Sequence, residues 1–367
     1  MSTPERPFDT LVQLLESGGL KLDIYDMGRR VCPIPHASFL AFERTEVPYP
    51  YPLQQQAWFA LTLHDPSHPD IDPMIWFIHF PLDEQAKLLQ SARDDFLHRL
   101  MDNLTDLKLV REQTPDLDKA LKDNPYLFQP RKERLAVLHA RLTCDLGKPP
   151  SRYYAHARSY LTGDLSWDQW AFIGYQGIAD VAARLDSDPE RQQISAAIEK
   201  LPPAPLEALC HCLENRVVSN ALAEALLNRL QIELQQPEPD PQVLISTVRG
   251  ISQSASNDYR NKLINIILLD DISTQTELLA SIAGRAWEAL QDSHLRNLFL
   301  ERLAQNEAGQ EFFNAILSDL LYLPDTRPFL QTSLRETERS EAFNLAIGRF
   351  FAHVMAPQPT QTDPRNH

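Results

Sequence analysis

Glycine is scarce in this chain: 11 residues of 367, against 28 prolines. Nucleotide-binding α/β enzymes need glycine where backbone N–H groups close on a phosphate. Neither a G-x-G-x-x-G nor a G-x-x-x-x-G-K-[ST] run occurs, so no cofactor is expected. Cysteine is scarcer still. Cys32, Cys144, Cys210 and Cys212 are spaced too irregularly for a disulfide framework and suit a reducing cytoplasm. No apolar run approaches membrane-spanning length, and a run such as Met74 to Phe80 suits a buried strand. The opening MSTPERPFDT lacks a basic region followed by an apolar stretch, so no secretory leader is expected. Positive charge is in deficit. A formal net charge of −15 disfavours global attraction to nucleic acid or to anionic membrane.

What is present is ordinary for a globular chain, with 43% hydrophobic and 23% charged residues. Phe8, Leu11, Leu14 and Leu15 share one helical face, which Gly18 and Gly19 close. KLDIYDMGRRVCPIP reads as two short strands around a turn at Met27 and Gly28. QQAWFALTLHD and PMIWFIHF are aromatic and β-branched and end in turn residues, which predicts a hairpin across residues 65–73. After Pro81 an amphipathic helix is expected, with Asp83 as N-cap and Leu88, Leu89, Phe96, Leu97 and Leu100 inward.

From about residue 131 the pattern is helical, and it repeats. Arg249, Arg260 and Asn261 align without gaps on Arg285, Arg296 and Asn297. The apolar anchors Trp170, Leu206, Val243, Leu279 and Phe313 recur at intervals of 36, 37, 36 and 34 residues. Such a period marks stacked helix pairs, each burying its apolar face on its neighbours. The expected fold class is α+β, predominantly α. A small α+β domain (1–110) is followed by a helical connector carrying a basic segment (111–164). Then come a helical-repeat domain (165–355) and a polar, disordered tail (356–367).

By its period, the region 165–355 resembles an α-solenoid of HEAT-like helical hairpins. The whole chain also resembles a bacterial family known only as a domain of unknown function. That likeness is carried by YPYPLQQQAW (Tyr49 to Trp58) and WFIHFPLDEQ (Trp76 to Gln85), and it implies no activity and no functional residues.

HDPSHPDIDP holds the densest set of chemically active side chains: His64, His68, Asp70 and Asp72, with His79 on the following strand. His64 and His68 have the spacing that places two imidazoles on one helical face. Pro66, Pro69 and Pro73 forbid a helix there, so the stretch reads as a hairpin loop. A metal-dependent hydrolase is the alternative. Cys210 and Cys212 stand about 200° apart on a helix and cannot grip one ion, so packing is expected of them. In the basic segment, Arg131, Lys132, Arg134, Arg141, Lys148, Arg152 and Arg158 face only Glu133 and Asp145. Arginines interleaved with tyrosines can brace a domain junction, dock an acidic protein partner, or grip nucleic acid.

These observations favour a non-catalytic, cytoplasmic interaction scaffold over the hydrolase and over a nucleic-acid-associated protein. Arg131, Arg134, Arg141, Arg152 and Arg158 are the expected contacts to an acidic partner. Tyr49 and Tyr51, displayed on alternating prolines, and the repeat-matched Arg260 and Arg296 are further candidates.

Overall fold

The computed structural model describes residues 10–17, 20–68, 70–103, 124–187, 189, 191–336 and 339–355. Phe8, Gly18, Gly19, connector residues 111–123 and the tail 356–367 lie outside the described residues.

Period-two alternation in the two aromatic runs builds the sheet. β3 (Gln56–His64) pairs antiparallel with β4 (Met74–Pro81), setting Phe59 opposite Ile78 and Leu61 opposite Trp76. β1 (Lys21–Asp26) takes the other edge of β3, and the short β2 (Cys32–Pro33) lies outside it, giving the order β2-β1-β3-β4. One sheet face carries Phe59, Leu61, Trp76, Ile78 and Phe80. It packs on Leu11 and Leu14 of α1 (Leu11–Ser17), on Phe39 and Phe42 of α2 (His36–Glu43), and on Phe96 and Leu100 of α3 (Gln90–Asn103). Each such side chain contributes about 1.5–3 kcal/mol on burial. The other face presents Tyr25, Met27 and Ala60 to Leu138 and Leu142 of α4 (Lys132–Asp145). The connector helix is therefore a wall of the sheet.

α3 starts at Gln90, six residues later than Asp83 as N-cap predicts. Asp83 instead closes a turn: its Oδ1 accepts from the amides of Gln85 and Lys87 at 2.8 Å. Ala86 in that turn has φ 61°, a left-handed conformation that no helix continues through. Leu88 is buried by the turn and Leu89 is exposed.

The remaining helices stack in two rows. In the first, α4 meets α6 (Tyr175–Arg184), followed by α8 (Pro203–Leu213), α10 (Pro241–Ile251), α12 (Thr276–Arg285) and α14 (Gln310–Tyr322). In the second, α7 (Arg191–Ile198) meets α9 (Asn220–Leu234), α11 (Asn257–Leu269), α13 (Ser293–Ala304) and α15 (Arg327–Ser333) in turn. α5 (Tyr154–Leu161) flanks α6, and α16 (Glu341–Met355) lies across α13 and α14. The anchors Leu206, Val243, Leu279 and Phe313 fall on α8, α10, α12 and α14 and are all buried. Trp170 stands in the 3₁₀ turn Trp167–Phe172, half-buried. Gly250 shows why the rows are tight. A Cβ there would come within 2.8 Å of the Cys210 sulfur on the neighbouring helix, so Cys210 is packing material.

The sheet unit is pinned to the rows by the turn between β1 and β2. Asp26, wholly buried, accepts from the amides of Gly28 (3.2 Å) and Arg30 (2.8 Å) and from the Tyr49 hydroxyl (2.8 Å). The turn so held pushes Arg29 and Arg30 into the helix ends. Arg30 donates to both carboxylate oxygens of Glu288 and lies 3.8 Å over the Trp287 ring. Arg29 donates to Asp319 at 2.6 Å and to the carbonyl of Pro52 at 2.7 Å. The Val31 amide donates to Asn215 Oδ1 at 2.7 Å. A second strap joins the Tyr322 hydroxyl and Arg327 to the carbonyls of Asp83 and Glu84.

Two expectations follow. Arg30→Ala strips Glu288 of its partner and should cost about 3–5 kcal/mol, read by urea unfolding, with faster amide exchange at residues 27–31. Glu43 caps α1, accepting from the amides of Leu11 and Val12. Burial pushes its carboxyl up from 4.5 to about 7. The folded state thus holds this proton more tightly than the unfolded chain. The stability it lends is complete below about pH 4.5 and is lost as pH rises through about 7. Wild type should therefore lose Tm relative to Glu43→Gln across that window; a gain would refute the assignment.

Candidate functional site

Three successive helices of the first row end on one ladder. Glu214 directly follows α8, Arg249 sits in the last turn of α10, and Arg285 ends α12. Arginine at a helix C-terminus is favoured by the helix dipole, and the 36-residue repeat places the two arginines one helix apart. Arg249 donates to Glu214 through Nε (2.6 Å) and Nη2 (2.9 Å), and Arg285 Nε stands 3.3 Å from the same carboxylate. From α4, Arg134 comes in beside them.

These groups line an open cleft of about 480 Å³ between the sheet unit and the rows. Arg131, Arg134, Arg249 and Arg285 are part of its lining, with only Glu133 and Glu214 as acids. Trp58, Phe128, Val137 and Tyr175 add an apolar and aromatic wall. Its rim includes Gln54, which together with Gln55 forms a tight turn at φ 53° and 60°. Both residues carry side chains in the left-handed region that hairpin turns normally give to Asn or Gly. Strain of this kind gathers at functional sites.

The electrostatics are those of crowded cations. Burial lowers Arg285 from 12.5 to about 10; Glu214 opposes the shift, and the charges of Arg249, Arg134 and Arg29 add to it. Arg134 is lowered by burial too, with Arg249 and Arg131 adding and Asp26 and Glu214 opposing. Burial pushes Glu214 up, but Arg285 and Arg249 outweigh it and hold the carboxyl below its usual value. His211, also in the lining, is lowered to about 4, by burial first and Arg249 second, so it is neutral at pH 7.

Of the expected basic contacts, Arg131 and Arg134 reach this cleft. Arg141 is engaged by Asp145 at 2.9 Å. Lys148 bonds Asp72 at 2.9 Å, tying the segment just after α4 to the hairpin loop. Arg152 lies exposed over the ring of its neighbour Tyr153, and Arg158 is half-buried. The segment therefore does not form one basic face. Tyr49 corrects an expectation: it is fully buried, bonded to Asp26, and displays nothing. Tyr51 is half-buried against both main cores. Arg260 and Arg296 form no outer ridge, because both are buried. Arg260 donates to Asn257, and Arg296 braces the rows through Ser333 and the carbonyls of Leu290 and Gln291.

The loop histidines and aspartates are not brought together. His68 pairs with Asp65 at 3.0 Å, and His64 stands 3.6 Å from Asp23. Asp70 and Asp72 are exposed. His79 pairs across the sheet with Trp58 and stacks on it at 4.8 Å. That register lies six residues along β3 from His64, about 20 Å away. Among the described residues no three His, Cys, Asp or Glu side chains form a metal-binding group. Nothing local in the sequence marks Arg29, Arg30, Glu214, Arg249 and Arg285 as site residues. The repeat alignment of Arg249 on Arg285 was the one available signal.

The chain belongs to a family described as "Protein of unknown function (DUF3549)", whose model matches residues 6–351. No curated protein and no solved structure matches it. Glu214→Gln should leave Arg249 and Arg285 without the counter-charge that this buried carboxylate gives them. The expected loss is about 3–5 kcal/mol, measured as a lower urea midpoint at unchanged m-value.

Proposed function

We propose that this member of a family of unknown function is a non-catalytic interaction scaffold that takes an acidic group of a partner into the junction cleft. The observation that carries this reading is the gathering of four guanidinium groups on one open cleft that contains only two carboxylates. Arginine's planar fork suits carboxylate and phosphate alike. The two helical rows, read as a HEAT-like solenoid, supply the frame, and repeat frames of this kind mostly bind proteins or peptides. Such frames serve many functions, and the cleft gives this one its chemistry. Residence in the cytoplasm belongs to the same proposal.

The nucleic-acid reading draws less support. Of the seven basic residues between 131 and 160, only Arg131, Lys132 and Arg152 are exposed. The hydrolase reading would need the loop side chains to converge, and they stand apart.

The test is a pull-down with tagged full-length protein at two salt concentrations, comparing wild type with Arg131→Glu, Arg134→Glu and, as a control away from the cleft, Arg152→Glu. One discrete acidic partner, reduced about tenfold or more by the first two changes, retained by the third and weakened by salt, is expected. Equal loss in all three variants, or no cleft-dependent partner, would sink the proposal.

A further inference from the structure

The cleft is specific about what it lacks. Four guanidinium groups face two carboxylates, and His211 is neutral, so the lining carries a surplus of two positive charges. It is also short of acceptors. Arg134 Nη1 is buried without a partner, and its Nη2 reaches only the carbonyl of Arg29, at 3.4 Å. Arg285 Nη1 donates to that same carbonyl at 2.8 Å. The Nε2 atom of His211 also has no hydrogen-bond partner. Unsatisfied buried donors are rare and call for an explanation, and one carbonyl shared by two guanidinium groups is a poor substitute for an anion. Arg249 and Arg285 nevertheless keep about a fifth of their side chains open to solvent, at 21% and 23%. A ligand entering the cleft can reach them.

We infer that the acidic group taken by this cleft is a phosphoryl dianion joined to a planar ring. This deepens the reading above and rests on it. Charge argues for the phosphoryl part, because a phosphate monoester carries about −1.5 to −2 at pH 7, against −1 for a carboxylate. It also has three oxygens to share among Arg134, Arg249 and Arg285, and guanidinium binds phosphate bidentately. Size and lining argue for the ring. A volume of about 480 Å³ falls within the range of small-molecule sites, about 300–1,000 Å³, far more than inorganic phosphate fills. Trp58, Phe128 and Tyr175 supply aromatic surface for the remainder. The left-handed turn at Gln54 and Gln55 fixes the rim on the sheet side, so the two units hold opposite parts of one site. Glu214 stays as the internal counter-charge that keeps Arg249 and Arg285 oriented when the cleft is empty.

The chemistry has two sources, a free nucleotide-like molecule or a phosphorylated aromatic side chain of a partner, and the test separates them. Full-length protein is titrated by calorimetry at low salt with phenyl phosphate, inorganic phosphate, phenol, benzoate and a glutamate-rich peptide. AMP and a tyrosine-phosphorylated peptide follow. Phenyl phosphate should bind at one site, at least tenfold tighter than inorganic phosphate or benzoate, with no measurable binding of phenol. Arg134→Gln and Arg131→Gln should each weaken it about tenfold or more, while Arg152→Gln leaves it unchanged. Arg131 is exposed, so its variant reports binding even if Arg134→Gln unfolds. Tighter binding of AMP names a small molecule as the source, and tighter binding of the phosphopeptide names a partner chain. Benzoate equal to phenyl phosphate, or an unchanged affinity in both cleft variants, overturns the inference. Cleft-dependent binding of the glutamate-rich peptide alone also overturns it, yet leaves the acidic-partner reading standing. Loss of every anion takes both down.

Discussion

One buried carboxylate sets the relation between the two parts of this molecule. Asp26 gathers two amides and the Tyr49 hydroxyl, and in doing so fixes the turn that drives Arg29 and Arg30 into the helix ends. Burial raises Asp26 from 3.8 to about 6, so holding it ionised near neutral pH works against folding. The return is orientation. With the turn fixed, Arg30 meets Glu288 and Trp287, Arg29 meets Asp319, and Val31 meets Asn215. The carbonyl of Arg29 is left facing Arg134 and Arg285. The geometry of the cleft is thus a by-product of how the sheet is docked.

The same contacts explain why cations gather there. Ladder positions at helix C-termini favour arginine, and the repeat supplies them at regular steps. The sheet unit adds Arg29 and Arg30, α4 adds Arg134, and its N-cap position adds Arg131. Glu288 and Asp319 answer Arg29 and Arg30. Glu214 answers two of the rest and cannot answer four. For guanidinium groups that are mostly buried such an imbalance is costly, and a protein that keeps it has reason to leave the cleft open to an anion.

Much of this fold is legible in the sequence, for reasons that mark the limit. The aromatic runs at Gln56 and Met74 announce a hairpin because their alternation is local. Leu206, Val243, Leu279 and Phe313 announce stacked helices because their interval is regular. The start of α3 is not legible there, because Asp83 has the chemistry of an N-cap and spends it on a turn, which the left-handed Ala86 makes possible. The burial of Tyr49 is not legible either, because alternating proline tells of an extended chain and not of which side is covered. Arg131 and Arg134 could be suspected from charge alone. Arg249 and Arg285 could not, since a helix-terminal arginine is commonplace until its neighbours are known. Arg29 and Arg30 were invisible: their partners lie 290 and 258 residues further on, and periodicity reports a face, never the residue that will cover it.

That separation has a consequence for synthesis. The strands and helices of the sheet unit leave the ribosome first, while Glu288 and Asp319 do not yet exist. At roughly 5–20 residues per second, the arginine turn waits on the order of 10–50 s for its acceptors. During that interval the two guanidinium groups remain in water, although α4, made well before Glu288, can already cover the second face of the sheet. The amino-terminal unit is therefore built early and seated late, and the molecule is closed only when its distal helices arrive.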